Sequence, residues 1–237
     1  MLASLAHVSM PTADAQVAPR FSIWDVRIGE PLSQIPEREI VDLACGTNGG
    51  PPSRPLDSLS DFHVCNPEEN SLREVYFRYD DELEYRAKAL ELIVESRLYA
   101  GTTVYGHPVI ISALVDASGI GQGVRVISDP RAALNVRRRA VALHRFIKAR
   151  FGEEWRCIDR YPREGETPLG GIYLNTACKT VIPGLSNAYF EAHFFRKKGQ
   201  TPINRSTGQV NRAQFESTTR FEILRLPYQS LGSETIP

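Results

Sequence analysis

Four cysteines in two local pairs constrain this chain more than any other feature. Cys45 and Cys65 lie 20 positions apart, and Cys157 and Cys178 lie 21 apart. None belongs to a C-x-x-C, so zinc-ribbon and thioredoxin readings fail. None sits beside a helix start with a neighbouring histidine, the setting that activates a catalytic thiolate. Four cysteines allow three connectivities, and short separation favours Cys45 with Cys65 and Cys157 with Cys178. The competing reading is four buried free thiols in a cytosolic protein. On the chain-entropy account, each loop of this size contributes roughly 3 kcal/mol.

Disulfides persist in oxidising compartments, and the N-terminus agrees with that placement. Ala13-Asp14-Ala15 precedes Gln16, with small residues at the third and first positions before the junction, as signal peptidase requires. Residues 1–15 therefore read as a signal peptide, although no basic segment opens it and Leu2-Ala3-Ser4-Leu5-Ala6 is a short apolar stretch. The alternative is a simple N-terminal tail. The expected location is periplasmic or secreted.

Composition removes some function classes. The 28 Lys and Arg balance the 28 Asp and Glu, whereas nonspecific nucleic-acid or anionic-membrane binders carry a basic excess. No apolar run approaches the roughly 18 residues that span a bilayer. The expected partner is another envelope or secreted protein. Neither nucleic acid nor a transmembrane segment is expected, and the oligomeric state is left open.

Along the chain, residues 16–70 read as loop-rich, because Gly46-Thr47-Asn48-Gly49-Gly50-Pro51-Pro52 interrupts both helix and strand. That run lacks the Lys-Ser/Thr and following helix of a phosphate loop. Val75, Phe77 and Tyr79 alternate as in a strand. A helix is predicted next, opened by Asp80-Asp81-Glu82, with Leu83, Ala87, Leu90, Val94 and Leu98 as its buried stripe and Gly101 as its stop. The acidic cluster is explained by the helix dipole and lacks calcium-loop spacing. Val109 to Val126 reads as a hairpin with a central strand. A second helix is predicted from Pro130 to Phe151, with Asp129 as N-cap and Val136, Ala140, Leu143, Ile147 and Phe151 as stripe. Strands are predicted over 171–178, 188–195 and 215–226, and the tail after Tyr228 reads as frayed.

This order predicts an α+β fold: mostly antiparallel sheet packed by two main helices, with a loop-rich N-terminal segment. The two cysteine pairs divide the chain into 16–128 and 129–237, one disulfide each, an arrangement compatible with two lobes.

Chemistry is sparse. No G-x-S-x-G, G-x-G-x-x-G, phosphate loop or H-E-x-x-H occurs, and no cofactor or metal is implied. The weak catalytic candidates are His193 and Glu191 on one strand face, joined by Glu222 and Arg220 if the last two strands pair. An ordinary cross-strand polar pair is the plainer account. Arg137, Arg138, Arg145 and Lys148 form a basic side of the second helix, read either as a solvated face or as an interaction face. The reading that follows is an exported soluble accessory module, non-catalytic and protein-binding. The alternatives are a small-ligand or metal-binding periplasmic protein, and an enzyme with an unrecognised site.

Overall fold

The computed structural model describes residues 26–237, apart from 100, 153, 183–185, 198–202, 204–205, 210–214, 234–235 and 237. The predicted signal peptide and most of the loop between the last two strands lie outside the described residues. Ten strands form an antiparallel sheet: β1 (Ile40–Cys45), β2 (Arg73–Tyr79), β3 (Thr103–Val104), β4 (His107–Val115), β5 (Gly121–Ser128), β6 (Arg156–Asp159), β7 (Glu166–Thr167), β8 (Leu174–Ile182), β9 (Ser186–Lys197) and β10 (Glu216–Arg225). The spatial order is β1-β2-β4-β5-β10-β9-β8-β6, with β3 beside β4 and β7 beside β9. Residues on either side of position 128 each supply four strands to this path, and the β5–β10 pairing joins them into one sheet.

Two adjacent rungs explain the layering. Leu43, Phe77, Ile111, Val126, Phe221, Phe190, Cys178 and Cys157 follow one another in register across all eight strands of the path. The next rung reads Ala44, Tyr76, Ser112, Arg125, Glu222, Tyr189, Lys179 and Arg156. Because successive side chains alternate faces, one face is apolar and the other polar at its centre. The apolar face is covered by Leu143 and Ile147 and by Leu32, Ile35, Leu56 and Leu59 from the N-terminal segment. The polar face is covered by residues 46–48, by the segment around Glu68, and by the C-terminal tail.

Both disulfides are present, with Cα separations of 5.3 Å for Cys45–Cys65 and 4.1 Å for Cys157–Cys178. The first ties the end of β1 to a 3-10 helix at Leu59–Val64, and the second joins edge strand β6 to β8.

The two long helices are a correction. The first is α1 (Glu82–Ala89) and α2 (Ile93–Leu98), separated at Leu90–Leu92, where Glu91 takes a φ of 56°. Of its expected stripe, Ala87 is buried but Leu83, Leu90 and Val94 are exposed, and Glu84 faces inward instead. Glu84 is held by the Lys88 ammonium and by the Thr103 hydroxyl at 3.2 Å.

The second splits into α3 (Leu134–Arg137), a 3-10 turn at Ala140–Ala142 and α4 (Leu143–Phe151). The cause lies in β10. Ser217 Oγ donates to the Arg138 carbonyl at 3.4 Å and accepts from the Val141 amide at 3.3 Å, and Thr219 Oγ1 donates to the Ala140 carbonyl at 3.0 Å. These hydroxyls insert into the helical ladder, a recognised source of helix breaks. Asp129 is not the N-cap, since α3 begins at Leu134 after Ala133; its carboxylate closes a turn, accepting from the Arg131 amide and guanidinium. The predicted stop is present, since Gly152 ends α4 with φ 94°. The stripe still packs, with Ala140, Leu143 and Ile147 buried and Phe151 stacked on Phe221 at 5.0 Å.

The tail is a second correction. Ser230, Ser233 and Ile236 are buried. Lys179 Nζ donates to the Ile236 carbonyl, and Asn187 Nδ2 donates to the Tyr228 carbonyl at 3.0 Å. The tail packs because the sheet offers it an apolar seat at Ala177 and Tyr189.

Candidate functional site

The polar face carries the densest chemistry among the described residues. At its centre, Arg125 is 1% exposed. Its Nε donates to Glu222 Oε1 at 2.6 Å, its Nη2 to Glu68 Oε2 at 2.9 Å, and its Nη1 lies 2.8 Å from Glu74 Oε2. Arg220 also binds Glu222, with Nε donating at 2.9 Å. The Gly46–Asn48 loop closes over this group, with the Asn48 amide donating to Glu74 Oε2 at 2.5 Å and Arg220 reaching the Asn48 side chain. A Cβ on Gly46 would lie 2.3 Å from the Glu74 side chain, so the close approach needs glycine. Burial lowers the Arg125 pKa, but the three carboxylates outweigh it and the pKa is raised. Burial raises the Glu222 pKa, but Arg220 and Arg125 outweigh it and the pKa is lowered.

A second group lies further along the same face. Glu191 accepts from Arg160 Nη1 at 2.9 Å and from the Tyr189 hydroxyl. Burial raises its pKa, yet those two hydrogen bonds and nearby His193 bring it below the usual value. His193 shares this face two residues on, opposite Asn175 on β8 and Thr218 on β10. Its Nε2 is buried without a hydrogen-bond partner, as is Asn175 Oδ1. Burial lowers the His193 pKa and prevails over the Glu191, Glu216 and Glu166 carboxylates. The β9–β10 pairing brings Arg220 opposite Glu191 and Glu222 opposite Tyr189. His193 and Glu222 are thus separated by four residues along the sheet, about 13 Å at strand spacing. The three catalytic candidates share a face without forming one acid–base unit.

The basic side divides. Arg138 and Arg145 are exposed. Arg137 lies over the Phe215 ring at 5.6 Å, and Lys148 lies over Phe190 at 5.7 Å. Two of the four cations thus lie over aromatic rings.

Two features went unforeseen in the sequence. The first is the surface of α1 and α2, where Leu83, Tyr85, Leu90, Leu92, Ile93 and Val94 are each between 38% and 68% exposed. The second is a cavity of about 450 Å³ at the β6 edge, lined by Arg156, Lys179 and Ser230 among others. Helical periodicity had marked half of the first set as core. The second required strand register, which no local pattern supplies.

No group of three or more His, Cys, Asp or Glu among the described residues is placed to hold a metal ion. None of the described helices is long and apolar enough to cross a membrane. Comparisons with known protein families, curated proteins and solved structures find no match.

Proposed function

We propose that this chain is an exported, non-catalytic accessory protein of the cell envelope that works by binding another protein through α1 and α2. One observation carries the reading: six large apolar side chains stand exposed within the twelve residues from Leu83 to Val94. Scattered single apolar residues on a surface need no explanation, but a concentrated set marks an interaction site. The charged residues interspersed there are of both signs, with Arg86, Lys88 and Arg97 among Glu82, Glu91 and Glu95. A lipid surface calls for a predominantly basic rim, whereas a mixed rim around an apolar centre suits a protein partner. Two disulfides are compatible with an oxidising compartment, and cleavage after Ala15 is the proposed route there.

A photoactivatable residue at Ile93, in the full chain expressed in its host, tests the interface. The same residue at Val41, exposed on β1, is the control. A discrete adduct with a different protein from Ile93 alone, lost when Val94 becomes Asp, supports the reading. No adduct, equal labelling from Val41, or an adduct of two copies of this chain overturns it. Recovery of the uncleaved chain from the cytosol would overturn export.

A further inference from the structure

We infer that the cavity at the β6 edge is a binding site for a small organic acid carrying one carboxylate and several hydroxyls, of the sugar-acid type. The site lies far along the polar rung, where Arg156 of β6 stands directly opposite Lys179 of β8. Like charges directly opposite in a sheet are destabilising, and an anion between them removes that cost. Lys179 Nζ donates to the Ile236 carbonyl, a neutral partner, and makes no ion pair among the described residues. Arg156 makes no ion pair or side-chain hydrogen bond among the described residues and is exposed at the cavity wall.

The rest of the lining fits a hydroxylated body. Asn187 Nδ2 and Ser233 Oγ donate to the Tyr228 and Ser230 carbonyls, which leaves the Asn187 and Ser233 oxygens and the Gln229 amide as hydrogen-bonding groups in the lining, and Tyr189 supplies an aromatic wall. Ser230 is almost wholly buried, and its hydroxyl is directed to the Glu222 carboxylate. Glu154 also lines the cavity. With Arg156 and Lys179 it leaves one net positive charge, which matches a singly charged acid better than a phosphate ester, whose charge approaches minus two. A volume of about 450 Å³ falls within the span of small-molecule sites, roughly 300–1,000 Å³. The inference does not depend on the α1–α2 surface, which involves none of these residues.

The probes are glucuronate, glucose and acetate, added to the isotope-labelled full chain and followed by amide chemical shifts. The expected result is saturable perturbation by glucuronate centred on Arg156, Lys179, Asn187 and Ser230. Glucose and acetate should bind at least about tenfold more weakly, since each lacks one half of the recognition. Arg156→Ala should weaken glucuronate about tenfold or more, the scale of losing one charged hydrogen bond, while shifts far from β6 stay at their native values. Lys179→Met should act in the same direction. Binding of glucose as tight as glucuronate, no perturbation at these residues, or unchanged affinity in a folded Arg156→Ala protein would each overturn the assignment.

Discussion

Arg125 and Glu222 are cross-strand partners on β5 and β10, each 1% exposed, joined by a 2.6 Å hydrogen bond. They sit at the seam where the strands before and after residue 128 meet. A buried pair of this kind contributes little relative to a well-packed apolar pair, but removal of one member leaves charge stranded in the interior. Arg125 serves three carboxylates, so its loss leaves Glu68 without its guanidinium, Glu74 with the Asn48 amide and Glu222 with Arg220.

Arg125→Ala is therefore expected to cost about 3–5 kcal/mol, read by urea unfolding beside the wild type. Arg138→Ala, on the exposed end of the basic side, is expected to cost less than about 0.5 kcal/mol. Equal small losses in both variants would mean that the ion cluster does not hold the seam.

Acid should destabilise the protein in two stages. His107, His144 and His193 all have pKa values lowered by burial, so the unfolded chain takes up their protons first. Their contribution is complete above the unfolded value of 6.5 and is lost as pH falls below it. Glu191 and Glu222 are held below their usual value. The stability they give is present above the unfolded value of 4.5 and is lost as pH falls towards the folded pKa. Unfolding free energy measured from pH 8 down to 3 should decline first below about 6.5 and again below about 4.5. His193→Gln should flatten the first decline, and an unchanged profile in that variant would place the histidine outside it.

Reduction should lower the melting temperature without any added ligand. The Cys45–Cys65 loop spans 20 positions, which gives roughly 3 kcal/mol on the chain-entropy account. Paired serine substitution of Cys157 and Cys178 should release β6 first, since that edge strand pairs only with β8 over four residues. Hydrogen exchange at Arg156–Asp159 reads this directly. Retained protection there would show that the ladder holds the strand without the bridge.

Period-two alternation made β2 and β8 to β10 legible, and a run apolar on both faces marked β4 as a central strand, which its burial on both faces matches. β1 was not legible: Cys45 is buried by its disulfide and the N-terminal segment and Ala44 by Tyr76 and Ile110, while Val41 and Asp42 are exposed. The second helix was misjudged in continuity because Ser217 and Thr219, nearly 80 residues away, take its carbonyls. The first was misjudged in burial because apolar spacing on a helix shows that a face exists, not that the same chain covers it. Arg125 alternates with Val124 and Val126 on β5, and alternation places it on the opposite face without showing that this face is buried. Its partners Glu68 and Glu74 lie on a separate loop and strand, and only tertiary structure brings them to it. The Arg156–Lys179 pair likewise depends on register alone.

The α1–α2 surface is the central claim, and Ile93→Glu tests it most directly through two values measured on one protein. The side chain is 66% exposed, so the unfolding free energy should stay within about 0.5 kcal/mol of wild type, while an adduct formed from a photoactivatable residue at Tyr85 should disappear. A loss of several kcal/mol would show that Ile93 is packed by this protein itself, and an undiminished adduct would show that the partner binds elsewhere. Either result contradicts the account.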